Sequence, residues 1–498
     1  MNVNPITRLD YPDPDVIRVE DTYYMVSTTM HFMPGCEILQ SFDLVHWEHV
    51  TYVYETLDHT DAQQLKSGQN IYGQGMWAAS LRYHEGRFCI CFVANDTRKT
   101  YLYTSEKIDG PWKKQLIEGF YHDGSLLFDE DGRNYIVYGN DEIWITELNE
   151  DLTAPKKDGL HRLLVSDHKN PELGYEGSHI QKINGYYYIF LVHSLRDRWM
   201  RTEACFYSDS LEGEFTGGDV LCDDRGYCGQ GVAQGGIVDT PDGKWYAMLF
   251  QDSGAVGRIP ILLPVTWKDH FPFFGQNGHV PEEIEVHSTR PGYIYQPLVG
   301  SDDFRNGLIP RWQFNHDPDP RYYHLDALQG TYTITTREVC TELTQAVNTL
   351  TQRMSYPSCA AEVTVDASAL KEGDVAGLCA LQGCYAAVGI TKHHGKYEVL
   401  MLDKKEDGIL DMTEGTVVES HQMDFRLEAD FCNMKDEARC YYRVNKGDWL
   451  PIGTVHKLYF KLDHFTGCRF GLFCYAAEET GGSACFRDFK YYDVDEIS

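Results

Sequence analysis

Asn184-Gly185-Tyr186-Tyr187-Tyr188-Ile189-Phe190 is a tight turn followed by an aromatic strand, and the chain contains five copies of this pattern. In four of them a glycine after Asp, Asn or Glu supplies the positive φ of a hairpin turn, and the aromatic residues that follow favour a strand. The copies begin about 45–65 residues apart, which suits one four-stranded propeller blade with its loops. The other copies are residues 20–26, 85–90, 131–137 and 242–248. The repeats therefore predict a five-bladed β-propeller over residues 1–295.

A second repeated element follows three of these strands, and each copy ends in an aromatic residue that could wedge between blades. The copies are residues 41–47, 105–112 and 208–215, and they end in Trp47, Trp112 and Phe215. We interpret them as outer strands of the blades. An unclosed all-β sandwich is the alternative, but the two elements keep the same order in each repeat, which favours the propeller.

The repeats stop near residue 295, where residues 291–297 read as a linker. Beyond it, short alternating stretches such as residues 359–365 and 458–462 are separated by turns that contain Gly and Asp. This pattern predicts a C-terminal β-sandwich over residues 300–498. The fold class is therefore all-β, a five-bladed β-propeller followed by a β-sandwich.

Composition excludes several classes of partner. A net charge of −31 argues against nucleic acid and anionic membranes, which select basic surfaces. No apolar run approaches the roughly 20 residues of a membrane-spanning helix, and the N-terminus lacks the pattern of a signal peptide. The 15 cysteines contain no Cys-x-x-Cys pair, which fits buried thiols in a reducing compartment. We expect a cytoplasmic protein with a small neutral substrate; the sequence does not indicate its oligomeric state.

Three carboxylates, Asp13, Asp123 and Glu176, precede the aromatic strands of the first, third and fourth repeats. Because the inner strands of a propeller converge on its axis, three acids at equivalent places can face one pocket. Glycoside hydrolysis needs two carboxylates, one to protonate the leaving oxygen and one to act on water or the anomeric carbon. Taken singly, each frame has a simpler interpretation, since Pro-Asp-Pro is common in turns and Asp-Gly in hairpins.

The chain resembles glycoside hydrolase family 43 over nearly its whole length. The motifs that carry this resemblance in the first domain are Tyr11-Pro12-Asp13-Pro14, Ser27-Thr28-Thr29, Met33-Pro34-Gly35, Met76-Trp77-Ala78, His122-Asp123-Gly124-Ser125-Leu126, Glu176-Gly177-Ser178-His179 and Gly257-Arg258. The second domain resembles the concanavalin A-like jelly roll that follows the catalytic domain in β-xylosidases of the family, at residues 302–304, 312–316, 350–353 and 484–489.

The resemblance implies a role for each acid. Asp13 would be the general base, Glu176 the general acid, and Asp123 the residue that tunes the acid and holds its position. A general acid must keep its proton near neutral pH, which burial or a nearby negative charge favours. The family inverts configuration, so a water must fit beside Asp13, and the carboxyls of Asp13 and Glu176 should be roughly 6.5–9.5 Å apart.

The resemblance also implies pocket residues. Arg258 matches an arginine that holds sugar hydroxyls, although a surface ion pair is the alternative. Trp77 matches a pocket wall, although a blade-core aromatic is the alternative. We expect two departures from the β-xylosidase pattern to line the same pocket: Met30-His31-Phe32, where those enzymes carry Phe-Glu-Trp, and Gln234, where many members place an axial histidine. From the sandwich, Phe486 or Phe489 could reach the pocket or pack in the core.

No cofactor is expected to be required. In relatives the axial histidine often lies beside a hydrated central calcium ion, so Gln234 argues against a structural calcium site without excluding one. His122 and His179 are other polar groups nearby, but no spacing of ligands specifies a metal site.

These features favour an exo-acting, inverting α-L-arabinofuranosidase that releases terminal arabinose from arabinoxylan-derived oligosaccharides. β-D-Xylosidase activity, or both activities together, is the alternative, because the two sugars present similar hydroxyl patterns. A non-catalytic sugar-binding propeller is a remoter alternative, since it predicts loss of an acid and all three are present. A protein-binding propeller of the WD type would need Trp-Asp blade endings and shorter repeats.

Overall fold

In the computed structural model, which describes residues 2–493, each aromatic repeat forms the second strand of a four-stranded antiparallel sheet. Large rings from these strands, such as Tyr23, Tyr135 and Tyr188, are buried between neighbouring sheets. Their burial explains why the repeats are aromatic, since each ring removes a large apolar area from water.

Five such sheets form the blades of the propeller. Blade 1 contains Asp15–Val19, Thr22–Ser27, Gly35–Ser41 and Glu48–Tyr54; blade 2 contains Met76–His84, Arg87–Ala94, Lys99–Ser105 and Lys113–Ile117; blade 3 contains Ser125–Phe128, Asn134–Asn140, Glu142–Leu148 and His161–Ser166; blade 4 contains Glu176–Ile183, Tyr186–Ser194, Arg201–Ser208 and Thr216–Leu221; blade 5 contains Val232–Asp239, Trp245–Asp252, Arg258–Lys268 and Phe271–Phe274.

The blades close into a ring. The first strand of each blade contacts the first strands of both neighbouring blades, including that of blade 5 against that of blade 1. The N-terminal segment supports this closure, because Asn2–Val3 pairs with Glu283–Ile284. The Asn4 side chain also donates to the carbonyl of Leu262 in blade 5 at 2.7 Å. The predicted five-bladed propeller is therefore confirmed.

The second repeated element is not an outer strand, so that prediction was wrong. Residues 42–47, 106–112 and 209–215 are the connections between the third and fourth strands of blades 1, 2 and 4. In the first copy the Ser41 hydroxyl and the Asp43 carboxylate accept backbone N–H groups of residues 43–46, which closes a turn rather than extending a strand. Trp47 and Phe215 are nevertheless buried, so the aromatic residues do anchor these connections.

The linker packs onto blade 1. The backbone N–H of Phe42 donates to the Tyr295 hydroxyl at 2.8 Å, and the Tyr293 ring lies 4.6 Å from that of Phe42. These contacts fix the path of the chain from the propeller to the sandwich.

The sandwich consists of two antiparallel sheets whose facing residues form one hydrophobic core. One sheet contains, in spatial order, Leu410–Met412, Lys396–Lys404, Tyr385–His393, Asp374–Leu381, Arg469–Ala476, Leu350–Arg353, Gln313–Asn315 and Phe32–Met33, with Thr416–Val418 paired to Lys396–Lys404. The other contains Tyr323–Asp326, Thr331–Thr335, Ser483–Tyr492, Ser358–Asp366, Gln422–Asp430, Glu437–Val444 and Leu450–Lys457. Short 3₁₀ turns span Lys66–Gly68, Leu343–Gln345 and Cys432–Met434.

Of the two stretches that predicted sandwich strands, one is a strand and one is not. Residues 359–365 lie within Ser358–Asp366, as expected. Residues 458–462 belong to a loop between Leu450–Lys457 and Arg469–Ala476. Their alternating apolar side chains face different neighbours: Leu458 enters the sandwich core, whereas Phe460 and Leu462 line a cavity in the propeller.

The two domains share a sheet. Phe32–Met33, from the connection between the second and third strands of blade 1, pairs with Gln313–Asn315 at the edge of the nine-stranded sheet. Nearby, the buried Arg353 of the sandwich forms an ion pair with Glu37 of blade 1 at 2.8 Å. A buried ion pair that bridges two domains needs both partners in place, so the sandwich is held in one position on the propeller.

Among the described residues, no helix is both long and apolar enough to span a membrane. All fifteen cysteines are free thiols in the described structure, and most of them are buried.

Candidate active site

A cavity of about 900 Å³ lies at the end of the propeller where the first strands of the blades begin. The three predicted carboxylates line it together with Trp77, Gln234 and Arg258. Asp13 and Asp123 each lie two residues before the first strand of their blade, and Glu176 is the first residue of Glu176–Ile183. The common position in three blades is what brings acids far apart in sequence into one cavity.

Asp13 is buried and held through both of its oxygens. The Thr28 hydroxyl donates to Oδ2 at 2.6 Å, and Nη1 of Arg258 donates to Oδ1 at 2.9 Å. Arg258 is therefore a buried cavity residue rather than part of a surface ion pair. Each Asp13 oxygen retains a lone pair, so the carboxylate is fixed in orientation and can still accept a hydrogen bond from a water.

Asp123 and Glu176 form a cluster with His122. Nε2 of His122 lies 3.4 Å from Oε2 of Glu176 and 3.6 Å from Oδ2 of Asp123. The amide of Asn140 donates to Oε2 of Glu176 at 2.7 Å, and the backbone N–H of Gly177 donates to Oδ2 of Asp123 at 3.0 Å. Asp123 is thus bonded to the residue that follows Glu176, which couples the positions of the two acids.

Burial and charge set the protonation of this cluster. Burial, together with the charge of Glu176, raises the pKa of Asp123 to about 6, although the positive charge of His122 opposes the rise. Burial lowers the pKa of His122, but the carboxylates of Asp123 and Glu176 outweigh it and raise this pKa to about 9. At neutral pH an imidazolium therefore lies between two acids, and the cluster retains a proton close to Glu176.

Three cavity residues have a left-handed backbone. Asp13, Asp123 and Gln234 have φ values of 52°, 47° and 63°. Such conformations are uncommon outside glycine and collect at functional sites, where the surrounding structure must hold them in place. Gly177, with φ of 67°, is required next to Gln234, because a Cβ there would lie 2.7 Å from Cγ of Gln234.

The sandwich completes the cavity wall. The Phe465 ring lies 5.5 Å from that of Trp77, and the guanidinium of Arg258 lies 4.2 Å from the Phe465 centroid. Phe486 and Phe489 do not reach the cavity. Both pack in the sandwich core against Tyr332 and Trp312, because a β-bulge at Asp488 and Phe489 turns these two residues, three apart in one strand, to the same face.

Met30, His31 and Phe32 are not among the residues that line the cavity, which corrects the expectation that they form its wall. All three are buried at the junction of the domains. Strand pairing explains their position: Phe32 belongs to the strand added to the sandwich sheet, with the guanidinium of Arg469 3.5 Å from its ring centroid. His31 packs against His316 and His464, and neither of its ring nitrogens makes a hydrogen bond of normal geometry.

The groups on the propeller axis do not fit a directly bound calcium ion. Among the first strands of the blades, the guanidinium of Arg82 donates to five oxygen acceptors at 2.6–3.2 Å. A side-chain cation therefore already occupies the oxygens that such an ion would need. These acceptors are Oδ2 of Asp15, Oγ of Ser125 and the carbonyls of Leu81, Leu126 and Ile180. His179 contacts the other Asp15 oxygen at 3.2 Å.

Within residues 2–493, one group of side chains offers three metal-ligand atoms within 4.8 Å of one another, namely His122, Asp123 and Glu176. These atoms already interact with each other and with Asn140, and no fourth protein ligand accompanies them in that group. The group is better described as a proton-sharing cluster than as a metal site.

Comparison with known proteins identifies the chemistry that such a site serves. Residues 3–272 match the family model for glycosyl hydrolases family 43. Residues 301–492 match the β-xylosidase C-terminal concanavalin A-like domain. The chain belongs to glycoside hydrolase family 43. The two matched regions correspond to the propeller and to the sandwich.

Different relatives within family 43 are named for different activities. A β-xylosidase of Formosa agariphila is 26% identical over 99% of this chain and 89% of its own length. A non-reducing end α-L-arabinofuranosidase of Bacteroides ovatus is 25% identical over 66% of this chain and 63% of its own.

Two solved structures of the family are similar throughout this chain. A bifunctional GH43-CE protein of Bacteroides eggerthii is 42% identical with a TM-score of 0.92; the match covers 99% of this chain but 64% of that protein. An engineered family 43 enzyme, described as displaying both endo-xylanase and exo-arabinofuranosidase activity, is 27% identical with a TM-score of 0.86 and is covered over 99% of both chains.

Sequence reasoning missed several residues of this family 43 cavity. Asn140 ends the second strand of blade 3, Arg201 begins the third strand of blade 4, and Phe465 lies in the loop just beyond residues 458–462. A usable signal was available for Asn140, because it lies at the end of the aromatic strand that follows Asp123. For Arg201 and Phe465 the local sequence gives no such indication, since their positions depend on how blades and domains pack.

Proposed function

We propose that the protein is an exo-acting, inverting glycosidase that releases terminal α-L-arabinofuranose from arabinoxylan-derived oligosaccharides. The observation that carries the proposal is a buried base candidate, Asp13, facing the same cavity as the proton-sharing cluster of His122, Asp123 and Glu176. In this mechanism the base and the proton donor lie on different blades. A sugar bound between them can be attacked by water from one side and protonated from the other.

Asp13 serves as the general base in this proposal. A water between Asp13 and the anomeric carbon gives a proton to the carboxylate as its oxygen bonds to the carbon. Arg258 and Thr28 hold the carboxylate in one orientation, which keeps the water aligned with the bond that breaks. Inversion requires room for this water, hence a separation of roughly 6.5–9.5 Å between the carboxyls of Asp13 and Glu176.

Glu176 serves as the general acid, and its proton passes to the glycosidic oxygen as the leaving sugar departs. Asn140 fixes one oxygen of Glu176, and Asp123 holds the backbone of the next residue. His122 and Asp123 keep a proton within reach of Glu176, and their opposite charges limit the cost of moving it during the reaction.

We propose arabinofuranose as the terminal sugar, and of the two departures from the β-xylosidase pattern Gln234 supports this choice. Gln234 lines the cavity in place of the axial histidine, whereas Met30 does not reach it. The cavity of about 900 Å³ is in the range that accommodates a ligand larger than one pentose, as a branched oligosaccharide requires. β-D-Xylosidase activity is the second candidate, favoured by the β-xylosidase relative that matches 99% of this chain.

Steady-state kinetics on paired substrates tests the proposal. We expect kcat/KM for nitrophenyl α-L-arabinofuranoside to exceed that for nitrophenyl β-D-xylopyranoside by roughly tenfold to a hundredfold, because one contact that distinguishes the rings is worth only about 1–3 kcal/mol. Arabinose should also be released from branched xylo-oligosaccharides. Faster hydrolysis of the xyloside without arabinose release would establish the second candidate, and hydrolysis of neither would overturn the proposal.

We also propose that the enzyme acts in the cytoplasm on small oligosaccharides. The fifteen free cysteines support this location, because a reducing compartment keeps thiols unpaired.

A further inference from the structure

Trp199 is an exposed aromatic residue at the outer part of the cavity. It lies in the turn between Tyr186–Ser194 and Arg201–Ser208 of blade 4, and 43% of its surface is exposed. Single exposed apolar residues are common on proteins and need no explanation. Trp199 differs because it lines the same cavity as the carboxylates and is held from below by a buried charged pair.

The charged pair is Arg201 with Asp252. Nε of Arg201 donates to Oδ2 of Asp252 at 2.8 Å, and the Arg201 side chain is only 7% exposed. The Arg201 guanidinium carbon lies 5.2 Å from the ring centroid of Trp199 and 5.2 Å from that of Phe250. A planar guanidinium between two rings limits how far the indole can tilt.

The turn that carries Trp199 is fixed at both ends. The backbone N–H of Met200 donates to the Ser194 hydroxyl at 2.8 Å, and that of Leu195 donates to the carbonyl of Met200 at 3.1 Å. The indole is therefore presented by a closed turn, and little conformational entropy would be lost on binding a ligand against it.

The register of blade 4 places this turn beside the proposed acid. Glu176 pairs with Val192, and two residues further along the same strand Ser194 pairs with Arg201. Glu176 and the Trp199 turn are therefore at the same end of one blade. The acid protonates the leaving oxygen, so the leaving sugar must extend from Glu176 towards the open part of the cavity.

The buried and exposed parts of the cavity suit two different sugars. At the inner end Asp13 and Asp123 are almost fully buried, which suits the terminal sugar whose bond is cleaved. At the outer end Trp199 and Leu462 are exposed, Leu462 by 70%, which suits a sugar that stays partly in solvent. Aromatic faces pack well against the C–H faces of pyranose rings, because each contributes apolar area with a defined orientation.

We propose that Trp199, supported by Arg201 and Asp252, is the platform for the sugar on the leaving-group side of the scissile bond, a xylopyranose of the xylan backbone. This inference rests on the proposed function, since it assigns the outer part of the same cavity. Trp199 is a specificity-determining residue in this scheme: it contacts the leaving sugar and takes no part in proton transfer.

The test uses two substrates with the same terminal sugar. α-L-Arabinofuranosyl fluoride fills only the inner end of the cavity, whereas arabinofuranosyl-xylobiose also fills the outer end. We expect Trp199→Ala to lower kcat/KM for the oligosaccharide by tenfold or more, mainly through KM, and to change that for the fluoride less than twofold. Trp199→Phe, which keeps a ring, should recover part of the loss. Phe273→Ala, which removes an exposed aromatic residue outside the cavity, should leave kcat/KM for both substrates unchanged.

Each other outcome is informative. Equal losses on both substrates would mean that Trp199 acts on the inner end or on folding, and no loss on either would mean that it contacts no sugar; both overturn the platform. If the wild-type protein cleaves neither substrate, the proposed function fails independently. Calorimetric binding of xylobiose then tests the role of Trp199 by itself. Tenfold weaker binding to Trp199→Ala than to wild type supports that role, and an unchanged Kd overturns it.

Discussion

The guanidinium of Arg258 lies 4.2 Å from the ring centroid of Phe465, so a residue of the sandwich covers a propeller residue that is itself bonded to Asp13. The sandwich is therefore part of the cavity and more than a neighbouring domain. The shared sheet and the Arg353–Glu37 ion pair provide the rigid attachment that this contact requires. We expect any change that loosens the domain junction to alter the position of Arg258 before that of other cavity residues.

Removing the Phe465 ring tests this link. We expect Phe465→Ala to lower kcat/KM by roughly tenfold to a hundredfold, because the cation–π contact with Arg258 and the packing against Trp77 are lost from the cavity wall. The thermal midpoint should change little, since Phe465 lies in a loop and is only partly buried. Phe465→Tyr keeps the ring and should stay near wild-type activity. Full activity of the alanine variant would show that the sandwich does not contribute to the site.

The acid role of Glu176 predicts a dependence on the leaving group. Glu176→Ala should reduce hydrolysis of oligosaccharides at least a hundredfold more than hydrolysis of nitrophenyl glycosides, because an activated phenolate leaves with little protonation. The measurement is kcat/KM for both substrates in the same preparation. Glu150→Ala, an exposed acid of blade 3, is the control and should change neither rate. Equal losses on both substrates would assign Glu176 a role other than proton donor.

The base role of Asp13 predicts loss of turnover with sugar binding retained. Asp13→Asn keeps the shape of the side chain: its amide oxygen can accept from Arg258 and its NH2 group can donate to the Thr28 hydroxyl, but an amide cannot take a proton from water. We expect activity below a few per cent of wild type, with the calorimetric Kd for arabinose within a few-fold. Residual activity well above that level would exclude Asp13 as the base.

The repeats were readable from sequence because each blade must bury its own aromatic rings. Tyr23, Tyr135 and Tyr188 each lie on the second strand of a blade and are buried against a neighbouring blade, and the acids that precede these strands share an end of the propeller. Strand pairing between distant segments leaves no comparable trace. Met30–Phe32 were therefore assigned to the cavity, whereas Phe32 completes a sandwich sheet some 280 residues away in sequence.

The sandwich contribution to the cavity could not be predicted for the same reason. Phe460 and Leu462 alternate as they would in a strand, although they lie in a loop whose contacts are with another domain. Phe486 and Phe489 do lie in one strand, but they are three residues apart, and only a bulge between them turns both rings into the core. Periodicity reports which residues are apolar on one face, but not which surface covers that face.

The His122–Asp123–Glu176 cluster predicts a bell-shaped pH profile of kcat/KM. Activity should fall on the acid side near pH 6, where Asp123 gains a proton and loses its charge, and on the basic side near pH 9, where His122 loses its proton. Since the charge of His122 lowers the pKa of Asp123, His122→Asn should move the acid limb to higher pH and abolish the basic limb. Profiles measured from pH 4.5 to 10 that are identical in both proteins would exclude this coupling.

Three histidines at the domain junction predict loss of stability in acid. His31, His316 and His464 pack with ring centroids 4.8 and 5.0 Å from His31, and burial holds the pKa of His464 at about 3 and those of the other two well below their usual range. The unfolded chain takes up these protons below about pH 6.5, whereas the folded protein excludes them. The free energy of unfolding should therefore fall as the pH drops below 6.5, by up to about 1.4 kcal/mol per pH unit for each histidine.

His31→Phe isolates one of these protons because the ring is kept while the titrating group is removed. We expect the mean slope of unfolding free energy against pH, measured by urea denaturation between pH 6.5 and 5, to decrease by about 1 kcal/mol per pH unit relative to wild type. Stability at pH 7 should be retained or increased, since neither nitrogen of His31 makes a hydrogen bond of normal geometry that the variant would lose. His324→Gln, which changes an exposed histidine of the sandwich, should leave the slope as it is. A slope unchanged in His31→Phe would mean that His31 takes up its proton in the folded protein as readily as in the unfolded chain, and that the junction tolerates a charge among its buried rings.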